Sequence, residues 1–170
     1  MLWLQAFDHQ AGISLPFKHL DYTRLAGWLA LILQLDPRGQ YPLLAASRLY
    51  SEVPDNARKR IMLEFVYDQF FLDPARRWPS LAHAVYVARH RLHDLPLALR
   101  YARALSDSVA AGTAPSWVGQ MPIYVLEDMD EIESARALIT GLLESGAIRD
   151  ERELAFLRDR LRRLEQEKLR

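Results

Sequence analysis

The sequence predicts an all-α chain, and three observations carry that reading. Apolar residues recur at three- and four-residue spacing through most of the 170 residues. The dipeptide Asp-Pro ends one such run at Asp36-Pro37 and another at Asp73-Pro74. The alternating apolar and polar pattern of a half-buried strand is nearly absent, and Val85 to Val87 is too short to count as one. A stop that recurs between apolar helical runs argues for helical hairpins repeated along the chain.

The elements follow in order. A helix is expected over 21–35, with Leu25, Trp28, Leu29, Ile32 and Leu35 as one buried stripe. Asp21 is placed to accept from free amides at its start, and Pro37 disfavours helical geometry at Asp36, which ends it. A short helix from Tyr41 to Tyr50 comes next, then a turn from Ser51 to Asn56. Ala57 to Leu72 reads as its partner, with Ile61, Met62, Phe65, Val66 and Phe70 on one face.

Helices from Trp78 to Leu92 and from Pro96 to Val109 make the following pair, joined by His93-Asp94-Leu95. Asp94 suits the cap position just ahead of a proline, and the second stripe is Leu97, Tyr101, Ala104 and Leu105. Gly112 stops this pair. Pro115 opens a helix carrying Trp117, Met121, Tyr124 and Val125 into the acidic run Glu127 to Glu131. Its partner, Ile132 to Glu144, is expected to bury Ile132, Ala135, Leu138, Ile139 and Leu142. Asp130 with Glu133 has capping-box spacing, and Gly146 suits a left-handed stop. Asp150 with Glu153 repeats the box before a terminal helix striped by Leu154, Leu157, Leu161 and Leu164. The expected organisation is one domain of hairpins 1–37, 38–74, 75–114 and 115–146 with a capping helix over 150–168.

Composition narrows the function classes. Lysine plus arginine number 22 and aspartate plus glutamate number 22, so no net field draws the whole molecule to nucleic acid or anionic lipid. The chain has no cysteine, which removes disulfides, thiolate nucleophiles and cysteine-based zinc sites. The most apolar stretch, Leu25 to Leu35, is about half the roughly 20 residues a spanning helix needs, so no membrane span is expected. Met1 to Gln10 is apolar at Leu2, Trp3, Leu4, Ala6 and Phe7 but has no basic leader and does not read as a signal peptide.

The Asp-Pro pairs lie 37 positions apart, near the roughly 34 of a tetratricopeptide repeat. Leu43, Ser47 and Tyr50 stand in the first-helix places of that motif, and Ala98, Ala102 and the run Ser134 to Leu138 have second-helix character. Over about residues 21 to 145 the chain resembles the tetratricopeptide-repeat superfamily in degenerate form. The openings Leu2 to Phe7 and Leu33 to Pro37 look like those of bacterial repeat proteins that carry an upstream membrane anchor. The resemblance implies a right-handed superhelix of stacked hairpins, no catalysis, no cofactor, and a scaffold in envelope assembly, cytoplasmic or periplasmic if an upstream anchor exists.

Chemistry-bearing residues fit that reading. His83 and His90 are seven positions apart, about 10 Å along a helix and too far to grip one metal, and His93 falls at a helix end. The acidic run lacks the loop spacing of a calcium hand and reads as a solvated turn. Phosphate loops, nucleophile elbows and zinc-protease motifs are absent, so no catalytic or metal residue is named. Arg58-Lys59-Arg60, Arg76-Arg77 and Arg89 to Arg91 can align along a solenoid groove. The favoured expectation is a protein or peptide partner held on a concave face by Arg48, Tyr50, Tyr86 and Arg89. The alternative is an RNA-binding helical repeat, disfavoured by the zero net charge. The terminal stripe is expected to cap the array, with homodimerisation as the other use of such a seam.

Overall fold

A computed structural model describes residues 16–109, 112–146, 148 and 150–167. The fold is all-helical, with eight α-helices and no strand among the described residues. They are α1 (Tyr22–Leu35), α2 (Tyr41–Arg48), α3 (Asn56–Phe70), α4 (Pro74–His90), α5 (Leu95–Ser108), α6 (Trp117–Asp128), α7 (Ile132–Glu144) and α8 (Glu151–Glu167). No helix among the described residues is long and apolar enough to cross a membrane. The first half of the expected hairpin 1–37 lies largely outside the described residues, as does the end of the expected capping helix.

Aspartate starts four of the helices. Asp21, Asp55, Asp73 and Asp94 accept from the amides of Arg24, Arg58, Arg76 and Leu97 at 3.0, 3.1, 3.3 and 3.0 Å. Each such cap satisfies an amide that has no partner inside the helix. At Asp73 the cap moves the start of α4 to Pro74, earlier than the expected Trp78, because proline fits the first helical position, where its missing N–H costs nothing. Pro79 then falls inside α4. Helix α2 is shorter than expected: it ends at Arg48, and Tyr50–Glu52 tightens into a 3₁₀ turn.

Contacts between like helices put the chain in two layers. Trp78 meets Trp117 edge to face at 5.8 Å near the starts of α4 and α6. Arg89 pairs with Asp128 near their ends, so these two helices run parallel. In the other layer Arg60 bonds Asp94 at 2.6 Å, Tyr67 meets Tyr101 at 5.1 Å and Arg100 pairs with Glu64, so α3 and α5 are parallel as well. Helices α2 and α4 pack directly on each other, and α3 packs on α2 and α4. Helices α2, α4 and α6 form one layer, and α1, α3 and α5 the other.

Two apolar cores fill the space between. The larger runs from Tyr22 and Leu29 through Met62, Phe70, Leu81 and Tyr101 to Val118 and Val125. The smaller joins Ile123 and Leu126 of α6 to Ala135 and Ile139 of α7 and Leu157 and Leu164 of α8. Leu157 and Leu164 of the terminal stripe are therefore buried within the chain, with Leu161 packed beside them, and α8 is further tied by Arg160 to Glu127 at 2.6 Å.

Two sequence expectations need correction. In α1 the buried residues are Tyr22, Leu29 and Leu33, while Trp28, Ile32 and Leu35 are exposed. The inward face is set by where α2 and α3 pack, and that lies to one side of the most apolar stripe. Asp130 does not cap α7. Its φ is +60°, and the amide of Glu131 bonds back to the Leu126 carbonyl at 2.9 Å, so Asp130 makes the left-handed stop of α6. Gly146, with φ of +64°, stops α7 as expected, whereas α5 ends at Ser108 with Val109 extended, ahead of Gly112 (φ +85°), which therefore is not its stop.

Candidate interaction face

The layer of α2, α4 and α6 leaves a run of large side chains open. On α2 the exposed residues Tyr41, Leu44 and Arg48 follow three-four spacing and share one face. On α4 the rings of His83, Tyr86 and His90 follow one another, the first pair stacked with centroids 5.8 Å apart and the second tilted at 4.9 Å. Tyr86 is half exposed, and Trp117 at the start of α6 is exposed beside Trp78. The aromatic content is high for a solvated surface, since these groups are usually spent on packing.

A groove of 260 Å³ opens between α2 and the start of α4. Arg38, Arg48, Arg76 and Arg77 line it together with Tyr41, Leu44 and Pro79, and no acidic residue lines it among the described residues. Arg76 is committed to Asp73, whose carboxyl is held below its ordinary pKa chiefly by that hydrogen bond. Arg38 and Arg48 form no ion pair among the described residues.

Arg77 is the fixed wall of the groove. Its side chain is buried, yet its acceptors are neutral: the Gln69 carbonyl at 2.6 Å, the Gln69 amide oxygen at 3.3 Å and the Pro37 carbonyl at 3.1 Å. Burial pulls its pKa below the ordinary guanidinium value; Asp73 opposes that and Arg76 adds to it. Such a charge is unusual, because buried guanidinium groups ordinarily sit against carboxylates.

His83 faces the same side. Its Nε2 is buried without a hydrogen-bond partner. Burial first, then the nearby Arg48 cation, pushes its pKa below 6.5, and Glu52 partly opposes them. The imidazole is thereby held neutral near pH 7. No group of three or more His, Asp or Glu is placed to hold a metal among the described residues. The acidic run at the end of α6 is used structurally, with Glu127 on Arg160, Asp128 on Arg89 and Asp130 at the turn.

The four expected face residues separate. Arg48 lines the groove and Tyr86 is exposed on α4. Tyr50 sits half-buried in the turn after α2, edge-on to Phe17 at 5.2 Å and Tyr22 at 6.4 Å, so its ring serves packing. Arg89 is held by both oxygens of Asp128 across to α6, the second contact at 2.7 Å. Sequence reasoning did not reach Tyr41, Leu44 and Arg38 as groove residues, and placed Arg77 only within a basic cluster that could align along one. The spacing of Tyr41, Leu44 and Arg48 is a signal in the sequence; the arrival of Arg77 beneath them depends on a contact across 40 residues.

The chain matches no protein-family model, no curated protein and no solved structure.

Proposed function

We propose that this chain is a protein-interaction scaffold, a right-handed tetratricopeptide-like stack of hairpins that receives a partner peptide or helix along the layer of α2, α4 and α6. One observation carries the reading: Tyr41, Leu44, Tyr86 and Trp117 are exposed on successive helices of that layer, and apolar groups gathered on one face, unlike single exposed residues, mark an interaction surface. The parallel succession of like helices supports the superhelix, and a role in bacterial envelope assembly rests on the sequence resemblance alone.

The arginines favour protein over RNA. Arg60, Arg76, Arg89 and Arg91 are each engaged with a carboxylate, and Arg77 is buried. Cations already neutralised release few counterions from a phosphate backbone. A photo-cross-linking residue at Tyr86 or Tyr41, expressed in the source cells, is expected to give a discrete adduct. The same residue at Arg103, exposed on α5, is expected to give none. Equal labelling from all three positions would remove the scaffold reading.

A further inference from the structure

We infer that the outward face of α1 is a dimer surface, on which α1 of a second copy of this chain packs antiparallel. Tyr22, Leu29 and Leu33 turn inward, yet Trp28, Leu31, Ile32 and Leu35 are 55, 42, 44 and 80% exposed. A helix that is apolar on every side belongs inside a packed assembly, and one side of α1 has no cover among the described residues. Four large apolar groups along one helix, unlike a single exposed leucine, mark a contact surface.

The order of the stripe chooses the occupant. Arg24, Trp28, Leu31 and Leu35 follow one another at intervals of four, three and four, the spacing of a seam between helices. That order reads the same from either end. A two-fold axis crossing α1 between Leu29 and Ala30 therefore brings Trp28 of each copy onto Leu31 of the other, and Arg24 beside Leu35. An isologous contact demands this self-complementarity, because each residue must suit its opposite in both directions. Gly27, exposed beside Trp28, carries no side chain to hold the second helix away.

Charge completes the match at both ends. Arg24 is exposed and forms no ion pair among the described residues, with only its backbone amide engaged, on Asp21. Asp36, exposed at the other end, accepts the Arg38 amide at 3.2 Å and forms no ion pair among the described residues. Antiparallel packing takes each Arg24 to the far end of the other helix, where Asp36 and the last carbonyls favour a cation. A parallel pair would set Arg24 against Arg24 and Asp36 against Asp36.

The same charges disfavour an anionic lipid surface, toward which an interfacial helix presents cations along its flank. Helix α1 has an acid at each end, Asp21 and Asp36. The stripe includes no residue of α2, α4 or α6, so the dimer leaves the proposed partner face of both copies open. Two such faces on one particle strengthen the hold on any partner with two matching segments. One helix per copy is a small interface, and association is expected at about 10 to 100 µM, leaving dilute chains monomeric.

Sedimentation equilibrium of the full chain from about 5 to about 500 µM is expected to show the mass rising from one chain toward two. Trp28→Ser and Arg24→Glu should each weaken association at least about tenfold, with unchanged circular dichroism excluding unfolding as the cause. Leu72→Ser, at an exposed leucine outside α1, should leave it unchanged. Asp36→Arg should also weaken it. Combining Arg24→Glu with Asp36→Arg should recover most of the loss, because the two charges trade places only across an antiparallel contact.

A single-chain mass at every concentration overturns the proposal. Slow alkylation of Leu31→Cys in that monomer, otherwise free of cysteine, then assigns the cover to another part of this chain. Flotation with phosphatidylcholine–phosphatidylglycerol vesicles that Leu35→Ser abolishes assigns it to lipid. A dimer that survives Trp28→Ser and Arg24→Glu, or a double exchange that recovers nothing, puts the contact elsewhere or in another orientation and overturns the proposal as well.

Discussion

Arg77 of α4 donates from Nη2 to the carbonyl of Pro37 at 3.1 Å, so a side chain just after the second Asp-Pro pair closes the first. Its Nη1 also takes the Gln69 carbonyl, at the end of α3, where the helix leaves acceptors unpaired and favours a cation. One guanidinium thus joins the end of one hairpin, the end of the next and the start of a third.

Arg77→Met keeps much of the buried length and removes the donors. It is expected to cost about 3 kcal/mol, since two backbone carbonyls lose a charged partner. Urea unfolding followed by circular dichroism measures this. Arg77→Lys should recover less than half, because one ammonium does not fork between carbonyls from two segments; full recovery would show that charge alone matters.

Tyr101 is fully buried and gives its hydroxyl to Glu64 at 2.8 Å. Burial first, then the Glu64 hydrogen bond, raises its pKa, so the phenol stays protonated throughout the accessible range. Tyr101→Phe is expected to destabilise by about 1 kcal/mol, the net worth of one such bond. Paired with Glu64→Gln in a double-mutant cycle, the losses should fall short of additive, as the two side chains share one contact.

The two faces of α1 predict opposite sensitivities. Leu33→Ala, at a buried position, is expected to cost about 3 kcal/mol. Leu35→Ala, at a position 80% exposed, should change stability by less than about 0.5 kcal/mol. A reversal in thermal unfolding would place the inward face of α1 on the Trp28 side after all.

That contrast marks where the sequence was legible. Asp-Pro pairs, three-four spacing and the Gly146 stop expose the helices because they act within a few residues. Asp21 and Asp94 cap the helices they were expected to cap, and the stripes of α3, α5 and α8 do turn inward. Which side of α1 faces inward depends on α2 and α3, and all-round apolar helices carry no such information. The candidate face was half legible: Arg48 and Tyr86 stand open by local spacing, but Arg89 found Asp128 and Tyr50 found Phe17 through contacts no local pattern encodes.

Asp94 supplies a pH test. The Leu97 amide is the largest influence holding its pKa below 3.8, with Arg60 acting the same way and burial opposing them. A depressed carboxylate contributes stability that is fully present above its unfolded value and lost as pH falls through the folded one. The loss therefore belongs below pH 3.8. Asp94→Asn, which still caps a helix, should give a shallower fall of unfolding free energy in that range.

His83 titrates in a different window. Its lowered pKa means the folded state favours the neutral ring, so its contribution is full above 6.5 and is lost as pH falls below that value. Arg48→Gln removes one of the influences that lower it. The expected outcome is an upward move of the His83 midpoint in an NMR titration of its ring protons. An unchanged midpoint would separate Arg48 from the His83 side of the face.

Helix α6 gives Val118 and Val125 to the larger core and Ile123 and Leu126 to the smaller. It belongs to both, on different sides of the same cylinder. No cut between the third and fourth hairpins leaves two finished pieces, since either fragment would carry α6 with a bare apolar flank or lose the wall it leans on. Lengthening or shortening such a chain at this point during evolution would require resurfacing a whole helix, which makes the number of hairpins here difficult to change one unit at a time.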